Sequence, residues 1–363
     1  MIKLKKGIIT KIMHNDDQMQ ELSVLVDDEN ASAINYTVFT GKANIGDCVI
    51  LNTTATSLGL GTGGYDFVIC NISRDGGYET SGSGHIMKLR YTPLQHSILS
   101  VEEDDSPYRE KIMGFKDLGG TYVIVCPLHS MMAITAAALK YLDEDVTTAY
   151  IMTDTGSLPM AFSKMVRELK EKRVLDATVT IGQAFGGDYE AVNIYTGLIT
   201  AKEVCSADVI LVSMGPGITG TGTKYGFSGA DEGHIIDGVN DLKGSPIYIP
   251  RISFADPRER HRGISHHSMT ALKELCHTHC DISLPEMDSS SRGAIDAQLD
   301  ELAATGRYDF RVQDGKYIID AMEKFDLSIR TMGRVYEDDP YFYKTCAAAA
   351  KYVSDKIKMS EEK

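Results

Sequence analysis

The stretch 256–275, DPRERHRGISHHSMTALKEL, gathers more reactive side chains than any other part of the sequence. Arg258, Arg260 and Arg262 alternate along it, and a guanidinium grips a carboxylate or phosphate through two parallel N–H bonds. His261, His266 and His267 stand close by in the chain. Ser265 is placed to cap a helix that carries Met269, Leu272 and Leu275. His266 and His267 then fall in its first turn, where the positive helix end disfavours a second proton. A neutral imidazole suits a general base or a metal ligand. His261, His266 and His267 with Asp256 or Glu259 form a mixed nitrogen–oxygen set for a divalent metal. Binding of a small anion by the arginines is the preferred expectation, with metal the lesser alternative and the cofactor left open. The plain reading of the same residues is an ion-pair network that fastens the loop.

A second stretch, GPGITGTGTKYGFSG at 215–229, holds six glycines in fifteen residues. Gly215, Gly217, Gly220 and Gly222 give it backbone freedom, and Thr219, Thr221 and Thr223 add hydroxyls. Lys224 adds a charge. Free N–H groups in such a loop cradle phosphate or carboxylate. It lacks the Gly-Lys-Ser/Thr ending of a P-loop, and no dinucleotide fingerprint is present. A tight structural crossover is the plain alternative. Gly61, Thr62 and Gly63 lie in a similar loop, NTTATSLGLGTGGYD, which reads as a long hairpin or as a flap over the ligand. Asp154 and Ser157 follow an apolar run, a common place for catalytic groups, although Ser157 serves equally as a helix cap. The catalytic candidates are therefore His266, His267, Asp154 and Ser157. CHTHC at 276–280 has poor spacing for tetrahedral zinc and reads as a helix end.

These motifs need a scaffold. Residues 1–92 read as six short strands separated by Asn, Asp and Gly turns, which suggests a small β barrel. From 93 to 335 apolar strands alternate with helical patterns: TYVIVCPL, TAYIMTD, LDATVTIGQ, ADVILVSM and SPIYIPRI at 245–252. That rhythm predicts an α/β domain with an open, mostly parallel sheet. Residues 336–363 predict a C-terminal helix packed on that domain or on an oligomer partner, and the chain beyond 280 reads as mainly helical. The loops at 154–157, 182–188 and 215–229 each follow a strand, so they are expected on one edge of the sheet, where ligands of such sheets gather.

The net charge of −14 disfavours general binding to nucleic-acid backbones. No apolar run reaches the length of a spanning helix, and the first residues carry no signal-peptide pattern. Seven widely spaced cysteines do not form a secreted disulfide pattern. A cytoplasmic protein that binds a small anionic molecule is the expectation, with a homo-oligomer left open.

The strings LNTTATSLGLGTGGYDFV, GHIMKLRYTPLQ, YIMTDTGSLPMAFS, TVTIGQAFGGDYEAVNIYTGL, GPGITGTGTKYGFSG and DPRERHRGISHHS, with the later TMGRVYEDDPYFY, resemble a bacterial family known only as a domain of unknown function, DUF3866. The resemblance spans nearly the whole chain and brings no activity, cofactor or catalytic residue with it. Two functions stay open: a hydrolase or group-transfer enzyme, and a non-catalytic sensor or scaffold.

Overall fold

The computed structural model describes residues 1–61, 63–74, 76, 78–79 and 84–361. The chain divides into two compact units, Met1–Ile98 and Leu99–Lys363. In the first, β1 (Leu4–Asn15), β2 (Met19–Val26), β3 (Glu29–Tyr36), β4 (Cys48–Asn52) and β5 (Asp66–Asn71) close a barrel in the order β1-β2-β3-β5-β4. Ile9, Leu22, Val24, Ala33, Val49, Leu51 and Val68 fill it. Asp27 and Asp28, at φ 51° and 67°, make the two-residue turn from β2 to β3, the left-handed turn that matches strand twist. The sixth expected strand lies outside the barrel: β6 (Ile86–Lys88) pairs with β7 (His96–Ile98) as a separate hairpin.

The second unit is built on β8 (Tyr122–Cys126), β9 (Thr148–Thr153), β10 (Ala177–Ile181), β11 (Tyr189–Ala191), β12 (Val209–Met214) and β13 (Ser245–Tyr248). Two further two-residue strands, β14 (Ile252–Ser253) and β15 (Gly263–Ile264), pair with each other, and β16 (Cys280–Pro285) and β17 (Tyr308–Gln313) complete the set. The main sheet has the order β11-β10-β9-β12-β8-β13-β16-β17, and all its pairings are parallel. The chain leaves β8 toward β9 on one side and leaves β12 toward β13 on the other. The strand order therefore reverses at β8, and the carboxyl ends of β12, β8 and β13 flank the crevice that such a reversal opens.

Three elements differ from the sequence reading. The run 245–252 is broken: β13 stops at Tyr248, and Pro250, which has no N–H to give a neighbour, precedes the turn into β14. The region beyond 280 adds two strands to the sheet; in them polar Asp281, Ser283, Asp309 and Arg311 alternate with apolar residues in place of the continuous apolar run of an inner strand, and Arg311 Nε donates to Asp281 across the pair at 2.9 Å. The helix expected around 190–203 starts only at Ile194, capped by Asn193, because 189–191 pair with β10.

The helix His129–Leu142 is buried on nearly every face, and the C-terminal helix Pro340–Glu361 packs on it. Small residues meet there: Ala133, Ala136 and Ala137 share one core with Ala347, Ala349 and Ala350. No helix among the described residues is long and apolar enough to cross a membrane.

The helix Glu232–Asp241 approaches the chain at 275–276 so closely that a Cβ on Gly233 would stand 2.6 Å from the backbone nitrogen of Cys276. Alanine at a helical glycine ordinarily stabilises by about 0.5–1 kcal/mol. Here Gly233→Ala forces two backbones apart. We expect it to destabilise by about 1–3 kcal/mol, read as a lower urea midpoint at unchanged slope; a rise in the midpoint would disprove the contact.

Candidate functional site

A hollow of about 140 Å³ opens over the reversal point, and its lining residues all belong to the second unit. Leu128 comes from the loop after β8; Ile218, Gly220 and Gly222 come from the loop after β12. Arg251, Arg258, Arg260, His261 and His267 come from the segment after β13, and Met332 from the approach to the C-terminal helix.

Asp256 organises this wall. Its side chain is fully covered, yet it lies between guanidinium groups: Arg251 Nη2 donates at 2.7 Å, and Arg258 donates through Nε at 3.0 Å and Nη2 at 2.9 Å. These bonds, Arg258 foremost, hold its carboxyl far below the usual carboxylate range. Arg334 Nη2 stands 3.8 Å away. Arg334 Nε lies 3.2 Å from Asp339 Oδ2 without hydrogen-bond alignment, and Asp339 instead accepts from the Ser253 hydroxyl at 2.6 Å.

Arg251 is buried at 6% exposure, and its Nε–H has no partner among the described residues. Its Nη1 donates to His261 Nδ1 at 3.0 Å, and the Ser265 hydroxyl lies 2.8 Å from the same nitrogen. A guanidinium cannot accept, so His261 Nδ1 carries the lone pair and Nε2 carries the proton. Burial first, then the nearby arginines, lowers His261 to about 4; burial and the neighbouring imidazoles lower His267 to about 3. His266 is lowered too, mainly by burial. All three rings are neutral at pH 7. The helix-end explanation does not carry this: Ser265 does cap, accepting from His267 N at 3.4 Å, but the α-helix is only His266–Thr270 before the turns widen.

The two adjacent histidines face different spaces. His267 stacks on Phe227 with ring centres 4.2 Å apart and lines the hollow. His266 lines a second hollow, as do Arg260, Arg262 and Lys224, and its Nε2 is buried without a partner among the described residues.

The nitrogens of His261, His266 and His267 lie within 4.8 Å of one another, as a metal site requires. The donor chemistry fits poorly. A ligating histidine ordinarily gives its other N–H to a carboxylate or carbonyl. Here that second nitrogen of His261 faces donors, so a metal on Nε2 would have to strip the ring of its only proton. Asp256 is committed to its arginines.

Other candidates separate from the hollow. Asp154 accepts from the backbone of Ser157 at 2.9 Å and of Gln183 at 2.8 Å, tying together the loops after β9 and β10. Ser157 takes a left-handed φ of 55° in that turn. A Cβ on Gly215 would stand 2.8 Å from Leu158, so all three expected loops meet on one edge. Gly217 sits at φ 101° where the loop turns. Within the loop after β12, Thr219 N donates to Ser228, Thr221 N donates to Gly226 O, and the Thr221 and Thr223 hydroxyls bond each other at 2.9 Å. Those hydroxyls serve the loop, and Ile218, Gly220 and Gly222 are what it contributes to the hollow. Lys224 pairs with Glu274 at 2.7 Å. Gly61 and Gly63 are exposed in a loop of the first unit, and Thr62 lies outside the described residues. In CHTHC, Cys276 and Cys280 are buried and Asp237 accepts from the backbone of His277 and Thr278, which is structural bonding.

Sequence reasoning missed Glu232. It is buried, accepts from the Tyr248 hydroxyl at 2.6 Å, and burial pushes its carboxyl up to about 8. It had no motif around it; only the folded neighbours Tyr248 and Gly229 expose it. Arg334 and Asp339 were visible only as part of a family-like string.

Two outcomes follow from these charges. Asp256→Asn leaves buried guanidinium groups uncompensated and should cost about 3–5 kcal/mol, whereas Arg258→Ala, at a side chain 41% exposed, should cost about 1 kcal/mol or less. Chemical denaturation measures both, and equal losses would disprove the ranking. Glu232 keeps its proton when folded and loses it when unfolded, from its ordinary 4.5 up to about 8. Stability should therefore fall as pH rises through that window, by at most about 1.4 kcal/mol per pH unit from this group. Glu232→Gln should flatten the profile; an unchanged slope would show that Glu232 is ionised in the fold.

Residues 32–350 match the family described as "Protein of unknown function (DUF3866)". No curated protein matches the chain. The family match covers most of the 363 residues, and the chain belongs to the DUF3866 family.

Proposed function

We propose that this protein binds a small anionic molecule, bearing phosphate or carboxylate, in the hollow above β8. The observation that carries the reading is Arg251: a buried guanidinium with an unused Nε–H, beside the exposed Arg260 and the Nε2–H of His261. Arg260 makes no side-chain hydrogen bond or ion pair among the described residues, so its charge is available. The backbone at Gly220 and Gly222 closes the opposite side, where a Cβ on Gly220 would stand 3.4 Å from the His267 ring. Seven free cysteines suit the reducing cytoplasm, where we place the protein.

Binding without chemistry is the first form of this reading. Among the described residues, no serine, threonine, cysteine or carboxylate side chain lines the hollow. His267, at about 3, is also a weak base before ligand arrives. Hydrolysis or group transfer is the second form, supported by the neutral His267 and His266 beside the arginines. A bound anion would raise their basicity and bring His267 nearer a useful range.

Calorimetric titration with inorganic phosphate tests the site. The wild-type chain should bind, and Arg260→Ala should bind at least tenfold more weakly, about 1.4 kcal/mol, with its melting temperature little changed. Absence of phosphate and carboxylate binding to the wild type would end the reading. Elemental analysis of protein never exposed to chelator should find less than one metal ion per chain; a stoichiometric metal lost in His267→Ala would replace the anion site with a metal centre.

A further inference from the structure

The second hollow, about 330 Å³, adjoins the first. Arg260 lines both. His267 lines one and His266 the other, and their ring centres are 4.2 Å apart. The two spaces are thus separated by little more than a pair of imidazoles and one flexible guanidinium.

The charges of the second hollow are not evenly matched. Lys224 is paired with Glu274 and Lys273 with Glu301, at 2.7 and 2.6 Å. That leaves Arg260, Arg262 and Glu259. Neither guanidinium makes a side-chain hydrogen bond or ion pair among the described residues, and Arg262 is absent from the lining of the first hollow. His266 lines this second space, and its Nε2 is buried with no hydrogen-bond partner among the described residues. Arg262, without a side-chain partner among the described residues, and the His266 ring therefore line this space beside the shared Arg260.

We propose that the ligand is a bis-anion, of which a diphosphate- or polyphosphate-bearing compound is the simplest class: one anionic group lies against Arg251 and His261, the linkage passes Arg260, and the second group meets Arg262 and His266. This rests on the anion-binding reading above and extends it to a ligand of two charged parts. A single phosphate fills only the first position and leaves Arg262 unused.

The test compares inorganic phosphate with inorganic tripolyphosphate on the full-length chain by calorimetry at fixed ionic strength. The wild type should bind tripolyphosphate at least tenfold more tightly than phosphate. In Arg262→Ala that ratio should fall below threefold, and Arg262→Lys should restore part of it. Lys116→Ala removes an exposed cation outside both hollows and should leave the ratio unchanged. Phosphate binding with no preference for tripolyphosphate, or a preference that survives Arg262→Ala, overturns the bis-anion and leaves the first site standing. A ratio that falls equally in Lys116→Ala shows general charge attraction and also overturns it. Binding of neither anion removes the underlying site.

Discussion

A carboxylate sealed from water needs its countercharges, and Asp256 obtains them from three directions. Arg251 arrives from the turn after β13, Arg258 from two residues along its own loop, and Arg334 from the segment before the C-terminal helix. Burying such charges gains little net stability, but separating them afterwards is costly. The cluster therefore acts as a geometric lock. It holds the Arg251 side chain where Nη1 meets His261 and Nε stays unused. Without Asp256 the wall would have a surplus of positive charge and no reason to keep its shape.

The sheet brings this lock to the right place. Its order reverses at β8, and the loops after β12, β8 and β13 meet over that point. The threonine-rich loop contributes by satisfying its own polar groups, which lets Gly220 approach the His267 ring and Gly222 the Arg260 guanidinium. The three histidines are neutral because they are desolvated beside guanidinium groups, so they offer donors and lone pairs rather than charge. Attraction for an anion rests on arginine, and orientation rests on imidazole and backbone.

Much of this was readable along the chain. Apolar runs such as YVIVC and VILVSM announce buried parallel strands, and the alternating short strands of the first unit announce a barrel. The arginine–histidine segment stood out by composition alone. Its division into two faces did not: whether Arg262 joins Arg251 depends on a short turn of helix at Glu259–His261 and on Gly263 at φ 68°. Asp154 looked catalytic because it ends a strand, but the amides it accepts are contributed by its own turn and by Gln183 from a distant loop. Glu232 was silent for the opposite reason, since desolvation is a property of what surrounds a residue. β16 and β17 were missed because their polar residues alternate with apolar ones, unlike the continuous apolar runs by which the inner parallel strands were found.

The place of β12 has a consequence for how the polypeptide assembles. β8 and β9 are consecutive strands, yet they do not touch; β12 lies between them and bonds to both. On a ribosome, β8 through β11 emerge first and have no central partner to join their two groups. Joining β8 to the β9–β11 group waits for 209–214, which pairs with both across a long stretch of chain. Such ordering raises the mean sequence separation of native contacts and slows folding. The strand that carries the glycine loop thus also joins β8 to β9–β11, so that loop reaches its edge of the sheet in the step that unites the two groups of strands.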